Sequence, residues 1–326
     1  MDLSENLGVV LLGDCLDLTK EIDDNSLDAV ITDPPYFLDG MEDNWNKDMT
    51  GRKTTAKQTV SSLRGGMKFD KKQGLNFQKY MNNYAKLVFS KIKPGGWFIA
   101  FSAPRLYHRL AVGVEDAGYE IRDMWEWLYT QNQMKAMGLL NTLNKDESLS
   151  CEDKEWLLEE LPLWKTPQVK SCFEPIVLAQ KPREGTFYDN WKKYHIGLIN
   201  VKSNVGSENN MSTCNVMTTE SISDILDKAF LVSKPTKKEK GNTKHLSVKP
   251  LHLMKHIISC TVPEGGLVLD PFNGSGTTGI AVIQANRRFI GFEKNQEYYV
   301  QSLERNKESF EIQENNTNFL VTTKRV

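Results

Sequence analysis

Asp33-Pro34-Pro35-Tyr36 places a carboxylate, two rings that fix the backbone and an aromatic face in consecutive positions. The run before it, Leu27-Asp28-Ala29-Val30-Ile31-Thr32, has the apolar pattern of a short buried strand. Two prolines cannot extend a hydrogen-bond ladder, so the chain must leave the sheet at Pro34. Ligand sites in open α/β sheets lie just outside the carboxyl ends of strands. At such an exit the carboxylate and a proline carbonyl accept hydrogen bonds, and the ring stacks on something flat. The set suits a planar substrate bearing an amino group. Taken alone, the same residues also fit a proline-rich turn, with Asp33 as a cap and Tyr36 half-buried.

A second block lies near the other end of the chain. The strand Leu267-Val268-Leu269-Asp270 runs into Pro271-Phe272-Asn273-Gly274-Ser275-Gly276-Thr277-Thr278 and then a helix of small and apolar residues, Gly279 to Ala285. Phe289-Ile290-Gly291-Phe292 follows as a strand ending at Glu293, which lies 23 positions beyond Asp270 (270 to 293). Strand, glycine loop, helix, strand and terminal acid form a nucleoside-binding unit, the last acid suited to ribose hydroxyls. The loop is not GxGxxG: an acid and a phenylalanine stand where a diphosphate needs bare amides. An adenosine with an amino-acid tail fits better.

The elements that position these blocks follow from periodicity. Leu7 to Leu12 reads as a strand ending at Gly13-Asp14-Cys15, and Leu16 to Ile22 as a brief helical turn. Phe77, Tyr80, Met81, Tyr84 and Val88 share a helix face, which Pro94-Gly95-Gly96 is expected to stop before the strand Trp97 to Phe101. Pro104 opens a helix with Leu106, Leu110 and Val114 on one face and Gly118 past its end, before a strand over Ile121 to Tyr129. Ser150 to Leu161 is helix-like, with Trp156-Leu157-Leu158 as a candidate buried patch. Phe173 to Ala179 resumes strand character, and Pro250 opens a helix carrying Leu251, Met254 and Ile258 on one face. Phe37 to Gln73 reads as a loop over the site. Arg183 to Ser247 has no clean period and is the least core-like part of the chain.

Composition excludes several classes. A chain of 326 residues, 39% hydrophobic and 25% charged, can bury a sizeable core without staples. No apolar run approaches a membrane span and the N-terminus lacks a signal-peptide pattern, so no membrane association and a cytoplasmic location are expected. The cysteines Cys15, Cys151, Cys172, Cys214 and Cys260 form no CxxC pair. His252 and His256 have the i, i+4 spacing of a metal pair but no third ligand in view, so no metal is expected. Net charge is -1, yet basic residues concentrate at Arg52–Lys72 and Lys234–Lys249, a footprint for a polyanion.

DPPY followed far downstream by DPFNGSGTT resembles the amino-methyltransferases of DNA, in the beta-ordered class with DPPY first. The likeness covers roughly residues 7–129, 172–200 and 245–305, including Gly13-Asp14, Phe173-Glu174-Pro175-Ile176 through Lys181-Pro182, and Lys249-Pro250. It implies a Rossmann-like α/β methyltransferase fold, a seven-stranded mixed sheet with an inserted target-recognition region. The implied division is a DPPY block at 1–130, a helical insert at 131–171, a core strand at 172–182, target recognition at 183–247 and a donor-binding block with the tail at 248–326. It implies S-adenosylmethionine as methyl donor, lined by Asp270, Phe272, Asn273, Gly274, Ser275, Gly276 and Thr277. Glu293 would hold the ribose and Asp14 the adenine edge, with Lys249-Pro250 opening the helix beside the donor. Asp33, Pro34, Pro35 and Tyr36 would be catalytic.

The reaction implied is direct transfer to the N6 amino group of adenine in double-stranded DNA, with the base flipped from the helix. Cytosine N4 is the alternative, since relatives acting there more often carry serine at the first motif position. RNA or protein amides are a further alternative, for which Asn is more usual there. A nucleotide-binding oxidoreductase would leave DPPY unexplained, and a silent DNA-binding subunit should have lost an acid. A homodimer and a cognate restriction endonuclease are left open as partners.

Overall fold

A computed structural model describes residues 8–36, 71–129, 136–167, 171–201, 215–217 and 248–311. Its strands are β1 (Gly8–Leu12), β2 (Leu27–Thr32), β3 (Ile92–Phe101), β4 (Glu120–Leu128), β5 (Phe173–Gln180), β6 (Val216–Met217), β7 (Leu267–Asp270) and β8 (Arg288–Glu293). They form one sheet in the order β1-β8-β7-β2-β3-β5-β4-β6. The strands from β1 to β3 pair in parallel, whereas β5 runs antiparallel to both β3 and β4. The expected seven-stranded mixed sheet is present, and the two-residue β6 extends its edge beside β4.

Every residue of β2 is buried, as a central strand covered on both faces requires. Its side chains alternate. Leu27 and Val30 join one core with Phe98 and Ala100 of β3, beneath α2 (Lys71–Phe89) and α3 (Tyr107–Glu115). Ala29 and Ile31 join the other with Trp97, Ile99 and Phe101, against α7 (Leu251–Thr261) and α8 (Thr277–Gln284). Phe77, Met81, Tyr84 and Val88, read from the sequence as one helix face, are all fully buried. Each such side chain contributes roughly 1.5–3 kcal/mol by leaving water. Beneath the strand ends, the buried Asp28 accepts from the Leu267 amide and from Lys93 Nζ, both at 2.7 Å, fastening β7 and β3 to β2.

Four expectations are corrected. Pro94-Gly95-Gly96 does not stop α2, which ends at Phe89; it lies inside β3. There the register jumps from Leu27–Ile92 to Ala29–Trp97, a bulge that the proline and Gly95 (φ 77°) accommodate.

Trp156-Leu157-Leu158 is not a buried patch. No residue of α5 (Cys151–Glu160) is buried, and Trp156 is 61% exposed. Consecutive helical residues point about 100° apart, so one neighbour cannot cover all of them. Among the described residues of 131–171, α4 (Leu140–Leu143), α5 and a 3-10 turn at Leu161–Leu163 are helical.

The start of the Arg183–Ser247 stretch does have regular structure. Thr186 and Asp189 form a reciprocal capping box that opens α6 (Phe187–Tyr194). Asn190, 1% exposed, donates to the carbonyls of Pro94 and Ile196. This ties α6 to the Gly95 end of β3, opposite the end from which Asp33 is reached. Of the loop expected over Phe37 to Gln73, residues 71–73 open α2 instead, and the rest, with most of both basic runs, falls outside the described residues.

Candidate active site

The carboxyl ends of β2 and β7 are neighbours, since Ala29 pairs with Val268 and Val30 with Leu269. The DPPY exit and the glycine loop therefore open side by side. They are bolted together: Thr32 Oγ1 donates to Asp270 Oδ1 at 2.7 Å, and the Phe272 amide donates to the same oxygen at 3.1 Å. Burial pushes the Asp270 carboxyl up from 3.8 to about 6, with hydrogen bonds from Thr278 and Thr32 opposing the rise. Asp270 thus shapes the loop rather than facing open space.

Beyond Thr32, Pro34 is buried and Asp33, Pro35 and Tyr36 are partly exposed. Tyr36 Oη donates to Asp33 Oδ1 at 2.6 Å, and its ring meets Phe77 edge-on at 6.4 Å between centroids. Burial and the Asp33 charge push the Tyr36 phenol well above its ordinary range, so it remains a donor. The other carboxylate oxygen, Asp33 Oδ2, receives Lys249 Nζ at 2.6 Å.

Lys249 closes a run of lysines whose composition suits a polyanion, and the family resemblance sets it beside the methyl donor. It is 6% exposed, paired with Asp33 and at 3.0 Å with Glu174 Oε2, its ammonium 4.9 Å from the centre of the Phe101 ring. A lysine held this way cannot bind a DNA phosphate. Burial alone would lower its pKa; the charges and hydrogen bonds of Asp33 and Glu174 outweigh that and raise it. Pro250 caps the start of α7 directly after it. Glu174, on β5, was not singled out as a site residue.

At the other side of the loop, β1 and β8 end together, with the Gly13 amide on the Glu293 carbonyl at 2.9 Å. Glu293 Oε2 accepts from the Gly274 amide at 2.8 Å, closing the glycine loop onto the end of β8. Asp14 caps α1 (Cys15–Leu18) through the Leu16 amide at 2.9 Å and pairs with Lys294 at 2.9 Å. Burial would raise its pKa, but Lys294 and the Leu16 amide bring it below the ordinary value. Asp14, Gly274 and Glu293 thus share one corner. Phe272 is half-buried against Tyr84 (5.7 Å) and Tyr80 (6.2 Å). Asn273 is 4% exposed, and neither its side-chain Nδ2 nor its Oδ1 has a hydrogen-bond partner among the described residues.

Gly276 and Thr277 face elsewhere. A Cβ on Gly276 (φ 83°) would meet Ser302 and Asn306 of α9 (Gln296–Glu311), and Arg305 reaches Ser275 O at 2.6 Å and Thr277 Oγ1 at 3.3 Å. These residues seat the loop on α9. Cys15 is buried beside Tyr80 Oη at 3.4 Å, and burial pushes its thiol up to about 12, far from a nucleophile's range. His256 is buried with Cys260 Sγ 3.6 Å from its Nε2.

This site, two strand tips carrying DPPY and a glycine loop, is that of a DNA amino-methyltransferase. Residues 27–304 match the DNA methylase family (N6/N4 methyltransferase), and the chain belongs to it. It is 29% identical over 293 residues to the Type II methyltransferase M.HindIII of Haemophilus influenzae, covering 86% of this chain and 89% of that one. It is 25% identical over 297 residues to M2.DpnII of Streptococcus pneumoniae, covering 90% and 88%. Among solved structures it resembles the M1.HpyAVI-SAM complex (TM-score 0.52, 19% identity, 91% and 98% covered). It also resembles the cytosine-N4-specific PvuII DNA methyltransferase (TM-score 0.53, 18% identity, 94% and 92% covered). Among the described residues no helix is long and apolar enough to cross a membrane.

Proposed function

We propose that this DNA methyltransferase moves a methyl group from S-adenosylmethionine to the N6 amino group of adenine in a specific duplex sequence. The observation that carries the reading is Asp33, an acid at the tip of β2 held between Tyr36 Oη and Lys249 Nζ beside the glycine loop. The chemistry of the donor set fits the methyl donor. Asp14 and Glu293 offer carboxylates to hydroxyl and amino groups, and the loop offers backbone and a phenyl face. The side-chain carboxamide of Asn273, without a partner among the described residues, is a further polar group for a bound molecule to satisfy. The donor supplies an electrophilic methyl on a sulfonium.

Everything else falls to this chain's residues. The amino nitrogen of adenine is a poor nucleophile because its lone pair is delocalised into the ring. Hydrogen bonds accepted by the Asp33 carboxylate and the Pro34 carbonyl localise that pair and stabilise the positive charge that develops on nitrogen. Pro34 and Pro35 keep both acceptors rigid, and alignment contributes up to roughly 7–11 kcal/mol in favourable cases. Flipping the base costs about a few kcal/mol, which stacking on Tyr36 offsets in part. No cysteine takes part.

Residues 183–247 carry target recognition in this reading, with the basic residues of 52–72 and 234–244 on the phosphates. The protein works in the cytoplasm, with a second copy and a cognate restriction endonuclease as its protein partners. The test is transfer of tritium from labelled S-adenosylmethionine to unmethylated duplex DNA, RNA and protein in parallel, followed by nucleoside chromatography. N6-methyladenine from DNA alone supports the reading; label in RNA or protein overturns it.

A further inference from the structure

We infer that Glu174 is a positioning residue for methyl transfer: its carboxylate holds the Lys249 ammonium, and Lys249 sets the Asp33 carboxylate. The inference rests on the DPPY reading of the active site. Glu174 is the second residue of β5, opposite Trp127 of β4, and reaches Lys249 Nζ at 3.0 Å. The same nitrogen lies 2.6 Å from Asp33 Oδ2, and the Phe101 ring lies 4.9 Å from it. Three chain segments far apart in sequence thus meet at one ammonium.

Charge explains why the third member matters. Lys249 beside Asp33 alone makes a neutral pair, and a neutral pair does little for a nitrogen that turns positive. Glu174 brings the trio to a formal charge of -1, restoring a net negative field on the side from which Asp33 acts. It also restrains where the ammonium sits, since the flexible lysine stem ends between two carboxylates, hydrogen-bonded to Asp33 and ion-paired with Glu174.

The backbone supports the same geometry. Asp33, Glu174 and Lys249 each directly precede a proline: Pro34, Pro175 and Pro250. A residue before proline is held in the extended region, so all three side chains leave from pre-set Cα positions. Pro175 is further fixed where its carbonyl accepts the Ser102 amide at 2.9 Å.

Removing the Glu174 charge should therefore weaken catalysis and let Lys249 lose its proton at lower pH. Among the described residues, the titratable groups facing that ammonium are Asp33 and Tyr36 beyond β2, Glu174 on β5 and Tyr129 after β4. Methyl transfer from tritiated S-adenosylmethionine to unmethylated genomic DNA, measured from neutral to alkaline pH, tests this with the full-length protein. For Glu174→Gln, kcat should fall about 10²-fold, the scale of a misplacement of about 1 Å. The KM for DNA and calorimetric donor binding should change little, the alkaline limb should move toward neutral pH, and Glu174→Asp should recover most of kcat.

Wild-type kcat with an unmoved alkaline limb in Glu174→Gln overturns the inference. So does an equal loss in both variants accompanied by loss of donor binding, which marks a packing role. If Glu174→Gln does not fold, Glu174→Asp decides: a smaller drop in kcat with retained donor binding supports the role, and unchanged kcat refutes it. An Asp33→Ala control separates the two levels. Inactive Asp33→Ala beside fully active Glu174→Gln removes only Glu174, whereas active Asp33→Ala removes the reading of the DPPY site itself.

Discussion

Thr32 donates its hydroxyl proton to Asp270 across 2.7 Å, although the two residues stand 238 positions apart. The bond joins the last residue of β2 to the last residue of β7. It fixes the exit of the Asp33-Pro34-Pro35-Tyr36 motif relative to the glycine loop. A site that must align two bound molecules has its two halves fastened at their roots.

The bond has a pH signature. Burial raises the Asp270 carboxyl from 3.8 to about 6, so between those values the folded chain holds a proton that the unfolded chain has released. Stability is therefore greatest below that window and falls as pH rises through it, by about 3 kcal/mol for a shift of this size. Asp270→Asn cannot ionise and still accepts from Thr32. Urea titrations from pH 4 to pH 7 should show wild type losing stability relative to this variant as pH rises. Parallel curves would show that Asp270 is not raised.

Both halves of the site were legible because proline and glycine punctuate them. Leu27–Thr32 had to be a strand and Pro34 had to end it; Gly274 and Gly276 had to turn the chain between two strands. The lysine at their junction was not legible. Asp33 and Lys249 lie 216 positions apart, so no spacing rule connects them, and Lys249 closes a run of lysines that reads as solvated surface. The available signal was smaller: Lys249 follows the apolar Val248 and precedes Pro250, and Glu174 and Asp33 also stand before prolines. Thr186-x-x-Asp189 was a readable helix start, masked by the polar composition around it. Trp156-Leu157-Leu158 misled because apolarity alone cannot supply a neighbour to pack against.

Asp33→Ala should leave donor binding nearly intact while lowering turnover at least about 10²-fold, the range for losing one preorganised electrostatic group. It also leaves Lys249 with Glu174 as its remaining described carboxylate partner, so stability should fall by about 1.5–3 kcal/mol, the range for losing a hydrogen bond to a charged group. Calorimetry with S-adenosylmethionine, run beside turnover and urea unfolding, separates these effects. Binding and turnover lost together in a folded variant would contradict the role given to Asp33.

Gly276→Ala probes the seat of the loop. At φ 83° an added Cβ comes within 3.0 Å of Ser302 Cβ and 2.9 Å of Asn306 Nδ2. The left-handed conformation alone costs roughly 1–2 kcal/mol for a residue with a Cβ. Unfolding should occur at lower denaturant, with a total loss of about 2 kcal/mol or more. An unchanged midpoint would mean that α9 does not pack on the loop as described.

The cysteines should divide by burial. Cys151 and Cys172 are exposed, while Cys15 and Cys260 are buried. Maleimide treatment of the native protein, mapped by mass spectrometry, should label the first pair quickly and the second pair only on unfolding. Rapid labelling of Cys15 would contradict its burial beside Tyr80.

Long-read modification sequencing of DNA from cells expressing the protein, beside cells expressing Asp33→Ala, tests the central claim most directly. The account predicts N6-methyladenine in one short sequence context with the wild type and none with the variant. Methylation of cytosine instead, or adenine methylation that persists in the Asp33→Ala cells, would contradict it.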